Sequence, residues 1–247
     1  MPSTDRTSNV PSSDWGTISS SDVSRRTFNP IRDVLSRPVM PLSTPQSTKD
    51  LISLSIGDPT VFGNFKTHPV VVEAVEEAVR SFSFNGYPPS VGVAQAREAV
   101  ASKYSHPDAP LVADDVIMAS GCSGAVEMAI SVLCNEGQNI LLPRPGFCLY
   151  NTVAGSRNIE TRLYNLLSES NWEVDIEHME SLIDNKTAAV LINNPSNPCG
   201  SNFTKSHLRA ILGVCEKYKI PLISDEIYAD MVFSGQVFTP TATLTST

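Results

Sequence analysis

The chain lacks the features that mark several large functional classes. Its longest apolar runs are a few residues, far short of a bilayer span, so no membrane association is expected. The N-terminus carries no apolar signal core. No lysine- or arginine-rich cluster interrupts a formal net charge of -8, which argues against a nucleic-acid surface. The 5 cysteines form no CxxC pair and read as reduced thiols, so a cytoplasmic location is expected. The short tail, whose 3 Arg are matched by 3 Asp, does not resemble a mitochondrial presequence. With 4 scattered histidines and no HExxH, no metal site is expected. Neither GxGxxG nor GK[ST] is present, which disfavours a dinucleotide or P-loop nucleotide site.

What remains is a chain of 247 residues, 41% hydrophobic, enough for a sizeable core. Residues 1–27 are rich in Ser, Thr and Asp and are read as a disordered tail. Pro38, Pro41 and Pro45 predict an irregular stretch after it. Residues 28–110 form an N-terminal segment whose first strong helix is THPVVVEAVEEAVRS. Pro69 suits its first turn, and Val71, Ala74, Val75, Ala78 and Val79 share one face. NGYPPSVG is turn chemistry, and a second helix is expected from Ala94 to Tyr104.

From about residue 111 short apolar runs alternate with helical patterns. VIMAS (116–120), NILLP (139–143), RLYNL (162–166), AAVLIN (188–193) and PLIS (221–224) read as strands. In TKSHLRAILGVCEKYK, Leu208, Ile211, Leu212 and Cys215 take helical spacing, with Lys217 and Lys219 at the favourable end of the dipole. This alternation predicts an α/β fold, a mainly parallel sheet with helices on both faces. Ligands in such sheets lie beyond the carboxyl ends of the strands.

The strand ends carry the candidate chemistry. SGCSGA (120–125) opens a helix with small residues and free N–H groups suited to an anion; the alternative is a tight turn with a Ser cap. In PRPGFCLY (143–150), Phe147 or Tyr150 stands at the mouth to stack on a flat ligand, or both rings are core. NNPSNPCG (193–200) holds a turn open with asparagines able to face the cleft. Asp225, ending the last strand, is either a turn cap or a buried carboxylate facing a cationic ring nitrogen. An anion cradle, a stacking ring, an amide and a carboxylate together suit a flat, phosphorylated, pyridine-like cofactor.

FNPIR, SLSIGDPTVFGN, NGYPPSVG, SGCSGA, RPGFCLY, NNPSNPCG and SDEIYADMVF also carry a resemblance. From about Thr27 onward the chain resembles the class I, fold-type I aminotransferases that use pyridoxal 5'-phosphate (PLP), in their tyrosine-type branch. The resemblance implies a partial PLP-binding large domain over 111–247, with 28–110 supplying part of a small domain and dimer contacts. It also implies transfer of an amino group from an aromatic L-amino acid to a 2-oxo acid, by a homodimer.

By the same resemblance, Gly121, Cys122 and Ser123 hold the cofactor phosphate and Phe147 stacks on the ring. Asn197 and Tyr228 share the ring oxygen, and Asp225 pairs with the ring nitrogen. Gly57 and Asn197 receive the substrate carboxylate, and Tyr87 reaches the partner subunit's cofactor. The family's Schiff-base lysine follows the SDEIY strand, yet this chain has no lysine after Lys219 and no arginine after Arg209. The expectation is therefore a family chain that is inactive alone. The alternative is a non-catalytic short isoform that dimerises with a full-length subunit and modulates it. The resemblance further places two family strands between the SDEIY strand and VIMAS.

Overall fold

The computed structural model describes residues 19–37, 57–58, 60 and 63–245. In chain order the elements are α1 (Asp22–Arg26), α2 (Pro30–Ser36), α3 (Pro69–Arg80), α4 (Ala94–Tyr104), α5 (Gly121–Leu133), β1 (Asn139–Arg144), α6 (Leu149–Ser156), β2 (Glu160–Leu167), β3 (Glu173–Val174), α7 (Ile176–Ser181), β4 (Thr187–Asn193), α8 (Lys205–Tyr218) and β5 (Leu222–Asp225). Residues 1–18 of the expected tail, Pro38, Pro41, Pro45 and most of SLSIGDPTVFGN lie outside the described residues.

One five-stranded sheet runs β3-β2-β1-β4-β5. β2, β1, β4 and β5 are parallel, and β3 adds an antiparallel edge through Leu166–Val174 and Leu167–Glu173 pairs. Period-two alternation divides the core between the two faces. Leu141, Val190 and Ile192 pack with Leu208, Ile211 and Cys215 of α8 and Met179 of α7. Ile140, Leu142 and Leu191 pack with Val126 and Ile130 of α5 and Val153 of α6. Each fully buried leucine or isoleucine contributes about 1.5–3 kcal/mol. The expected α/β sandwich is thus present, and every strand end named above except that of VIMAS belongs to a formed strand.

α8 begins where Thr204 accepts from the His207 N–H, and it ends at Lys219, whose φ of 56° places it in the left-handed region. Val214 joins Leu208, Ile211 and Cys215 in its buried face, while Leu212 is half-buried. Gly92 has a different necessity. Its φ is +106°, and an added Cβ would lie 2.4 Å from Met118 Cγ, so the turn after Pro89 admits no side chain.

Two expectations are corrected, and one helix forms as expected with its apolar face uncovered. VIMAS forms no strand: the Met118 N–H donates to the Val91 carbonyl at 2.9 Å, and no described strand lies alongside to complete a ladder. β5 is accordingly a sheet edge. α3 forms over the expected residues with Pro69 in its first turn, but Val71, Val75 and Val79 are exposed. Amphipathic spacing gives a helix a face to bury without supplying what buries it. Finally, residues 22–26 of the expected tail form a short helix, because Ser21 caps it by accepting from the Ser24 N–H.

Candidate functional site

β1, β4 and β5 and the start of α5 deliver their loops to one end of the sheet. There they enclose a cavity of about 210 Å³ whose walls include Cys122, Ser123, Phe147, Asn197, Asp225 and Tyr228. All four loops singled out in the sequence contribute to it, as expected at the carboxyl ends of parallel strands.

Asp225 lies at the cavity floor and is only 7% exposed. Tyr150 donates its hydroxyl to Asp225 Oδ2 at 2.7 Å, the Ile227 N–H donates to Oδ1 at 3.1 Å, and the Cys122 thiol lies 3.4 Å from Oδ1. Burial, reinforced by the Asp225 charge, pushes the Cys122 thiol up to about 11. Burial and the bond to Asp225 likewise hold the Tyr150 hydroxyl well above the usual phenol range. Both groups therefore keep their protons and serve as donors near neutral pH. Asp225 caps the following turn through the Ile227 N–H, and it is buried. Among the described residues no cation forms an ion pair with it. A buried carboxylate held only by neutral donors still gains from a cationic ligand.

Tyr150 is core, fully buried, and Phe147 stands half-buried at the mouth, packed edge-on to Tyr150 with centroids 5.8 Å apart. Spacing did not single out Tyr150 as the partner of Asp225. The signal was chemical: a buried phenol needs an acceptor.

The doubled asparagines are mainly structural. Asn193 accepts from the Asn197 N–H at 2.6 Å and donates to the Asp225 carbonyl at 3.2 Å; Asn194 accepts from the Phe203 N–H at 2.7 Å. They hold the loop so that Asn197, three residues on, lines the cavity. Glu226 turns away to accept from Ser224 and from the Thr241 N–H.

Gly121 opens α5 with a φ of +69°, and Ser120 provides no side-chain cap, so the turn is not the Ser-capped one weighed above. The first N–H groups of α5 are left without a side-chain acceptor. A second cavity, of about 570 Å³, adjoins the first and shares Phe147, Asn197 and Tyr228 with it. Gly57 lies on its wall. Tyr87 lines neither cavity and is fully exposed. No lysine or arginine lines either cavity among the described residues.

The family model for aminotransferase class I and II matches residues 49–246. The chain is 55% identical over 226 residues to the tyrosine aminotransferase of Bos taurus, covering 92% of this chain and 50% of that protein. It is 47% identical to the tyrosine aminotransferase of Dictyostelium discoideum, covering 96% of this chain and 56% of that protein. Among solved structures, tyrosine aminotransferase from Leishmania infantum superposes with a TM-score of 0.82 at 40% identity, covering 93% of this chain and 60% of that one. Alanine aminotransferase from Pyrococcus furiosus gives 0.80 at 27% identity, covering 92% and 57%. The chain thus spans about half the length of the curated relatives it matches.

Proposed function

This chain belongs to the class I and II aminotransferase family, and from that premise we propose that its strand-end cavity is the ring-holding part of a PLP site for tyrosine-type transamination. The observation that carries the reading is Asp225: a buried carboxylate with three neutral donors, no cation among the described residues, and an aromatic ring, an amide and a phenol lining the same cavity. PLP, when bound, supplies an electron sink for the bond changes at the amino acid's α-carbon.

The chain's own residues divide the remaining work. Asp225 holds a proton on the ring nitrogen, and Tyr150 fixes the direction in which the carboxylate points. Phe147 covers one face of the ring and excludes water from it. Asn197 and Tyr228 take the ring oxygen. The uncapped start of α5, at Gly121, Cys122 and Ser123, receives the phosphate. Gly57 and Asn197 orient the substrate carboxylate. Tyr87, exposed and outside both cavities, serves a second subunit in this reading.

The fit covers the ring and not the covalent link, since no lysine lines the cavity among the described residues. As the chain stands, it binds the cofactor non-covalently and does not turn over substrate. The test is titration with pyridoxamine 5'-phosphate, which has no aldehyde to label surface lysines. Saturable binding that Asp225→Asn weakens at least about tenfold is expected, with no transamination between tyrosine and 2-oxoglutarate. Binding indifferent to Asp225→Asn would overturn the site, and measurable turnover would overturn the inactivity.

The exposed valine face of α3 and the exposed Tyr87 favour one further role, pairing with a full-length subunit. Co-expression of the two chains tests it; recovery of unmixed species alone would overturn it.

A further inference from the structure

The turn segment NGYPPSVG contains the one Asn-Gly step of the sequence, Asn85–Gly86, to which the functional reading gives no task. The step lies between two fixed points. On one side α3 ends at Arg80, where the Ser81 N–H donates to the Glu77 carbonyl at 2.9 Å and the Ser81 hydroxyl to the Ala78 carbonyl at 2.8 Å. On the other, the Gly92 N–H donates to the Pro89 carbonyl at 2.8 Å, and the Val91 carbonyl accepts from the Met118 N–H. Between them Phe84, Asn85, Gly86 and Tyr87 are all exposed. Among the described residues neither the Asn85 amide nor the Gly86 N–H has a hydrogen-bond partner.

These are the conditions for an intramolecular reaction. Glycine carries no side chain to restrict the rotation that brings its nitrogen to the preceding asparagine's side chain. When base removes the Gly86 N–H proton, the nitrogen attacks Asn85 Cγ. The new N–Cγ bond closes a five-membered succinimide ring, the Cγ–Nδ2 bond breaks, and Nδ2 leaves as ammonia. Water then opens the ring at one of its two carbonyl carbons. Opening at Cγ leaves aspartate; opening at the main-chain carbonyl leaves isoaspartate, whose chain path runs through Cγ and is one atom longer. No atom is oxidised or reduced. Other asparagines lack one condition or another. Asn64 is exposed but precedes Phe65, and Asn158 precedes the β-branched Ile159 and donates to Glu136 at 2.6 Å.

We infer that Asn85–Gly86 is a site of spontaneous deamidation and isomerisation, and that this modification limits how long the chain stays competent to pair. The first part stands on the turn alone. The second rests on the pairing role proposed above, in which Tyr87 serves a second subunit. Either product places a carboxylate two residues before Tyr87, on a chain whose formal net charge is already -8. In that role the carboxylate approaches the phosphate that Tyr87 is to reach, and like charges across a contact oppose association. Isoaspartate in addition lengthens the main chain between α3 and Tyr87, so the phenol is no longer presented from the same place.

The test incubates the intact, folded chain and follows each asparagine by peptide mass spectrometry, with enzymatic methylation to count isoaspartate. Asn85 is expected to convert at least about tenfold faster than Asn64 or Asn158, faster at pH 8.5 than at pH 7, and to a mixture of both products. Gly86→Ala is the control: an added Cβ meets nothing within 4 Å and the φ lies outside the left-handed region, so the turn accepts it. It is expected to slow conversion at least about tenfold. A folded chain whose Asn85 stays intact while the urea-unfolded chain converts overturns the site, as does a rate indifferent to Gly86→Ala. The consequence is read by co-expression with a full-length subunit. Asn85→Asp is expected to give at least about threefold less mixed dimer than the unaltered chain. Equal recovery overturns the effect on pairing. Absence of mixed dimer even with the unaltered chain overturns the pairing role, and this consequence with it, and leaves the modification site standing.

Discussion

Tyr150 and Asp225 form a buried pair, phenol to carboxylate at 2.7 Å, that joins α6 to the end of β5. The two residues sit on different elements 75 positions apart in the chain. Their bond ties the start of α6 to the end of β5, and both residues line the smaller cavity.

Tyr150→Phe keeps the ring packing and removes only the hydroxyl. Asp225 Oδ2 then loses its donor inside the fold, a loss worth about 1–3 kcal/mol. Urea unfolding followed by circular dichroism is expected to show a lower midpoint with an unchanged slope. An unshifted midpoint would mean that the pair is not formed in solution.

The Cys122 thiol gives a chemical readout of the same cavity. With its pKa near 11, alkylation by iodoacetamide is slow at pH 8 and still accelerates between pH 9 and 10. Burial is the larger cause and the Asp225 charge the smaller. Asp225→Asn is therefore expected to move the midpoint of the rate profile down while leaving it above that of an ordinary thiol. Peptide mass spectrometry resolves Cys122 from the other cysteines, and a midpoint indifferent to Asp225→Asn would contradict the contact.

His207 ties the β3 edge to α8. Its Nε2 accepts from the Val174 N–H at 2.9 Å, and its Nδ1 lies 3.6 Å from Glu173. Burial lowers its pKa, the Glu173 charge opposing. The unfolded chain, titrating near 6.5, then binds more protons than the native chain as pH falls. Native stability is expected to decline as pH drops below about 6.5. Protonation of Nε2 would also deprive the Val174 N–H of its acceptor. His207→Gln retains a possible acceptor and does not titrate, so its urea midpoint should change less between pH 8 and pH 5.5 than that of the unaltered chain. Equal changes would remove His207 from the account.

The sequence made the strand ends legible for a physical reason. ILL in β1 and VLI in β4 must be buried on both faces, and each run stops where polar loop residues begin. Asp225 was legible as a position, since an acid ending an apolar run needs a partner. The partner was not legible, because the contact between Tyr150 and Asp225 depends on sheet order and not on spacing. β3 escaped notice because two residues carry no period. VIMAS misled in the other direction: its composition suits a strand, but a strand exists only with a neighbour. The valine face of α3 shows the same limit for helices, since spacing reports the capacity for burial and not the surface that fulfils it.

The opposite end of the sheet offers a final, independent test. Asn139, fully buried at the start of β1, donates to Asp184 Oδ1 at 2.9 Å and accepts from the Thr187 hydroxyl at 2.8 Å. The Lys186 N–H also donates to Asp184, and Arg162 lies 2.8 Å from its other oxygen. These donors, the Asn139 amide foremost, hold the Asp184 carboxyl down at about 2. Its unfolded value is about 3.9, so the native chain resists protonation more than the unfolded one. The stabilisation is present above about pH 4 and is lost as pH falls toward 2. Asp184→Asn is therefore expected to be less stable than the unaltered chain at pH 5, with the difference shrinking as acid is added. Acid titrations of both chains, followed by circular dichroism in the presence of a fixed urea concentration, measure that difference directly. A gap that stays constant from pH 5 to pH 2.5 would show that the charge of Asp184 is not what holds the starts of β1 and β4 together.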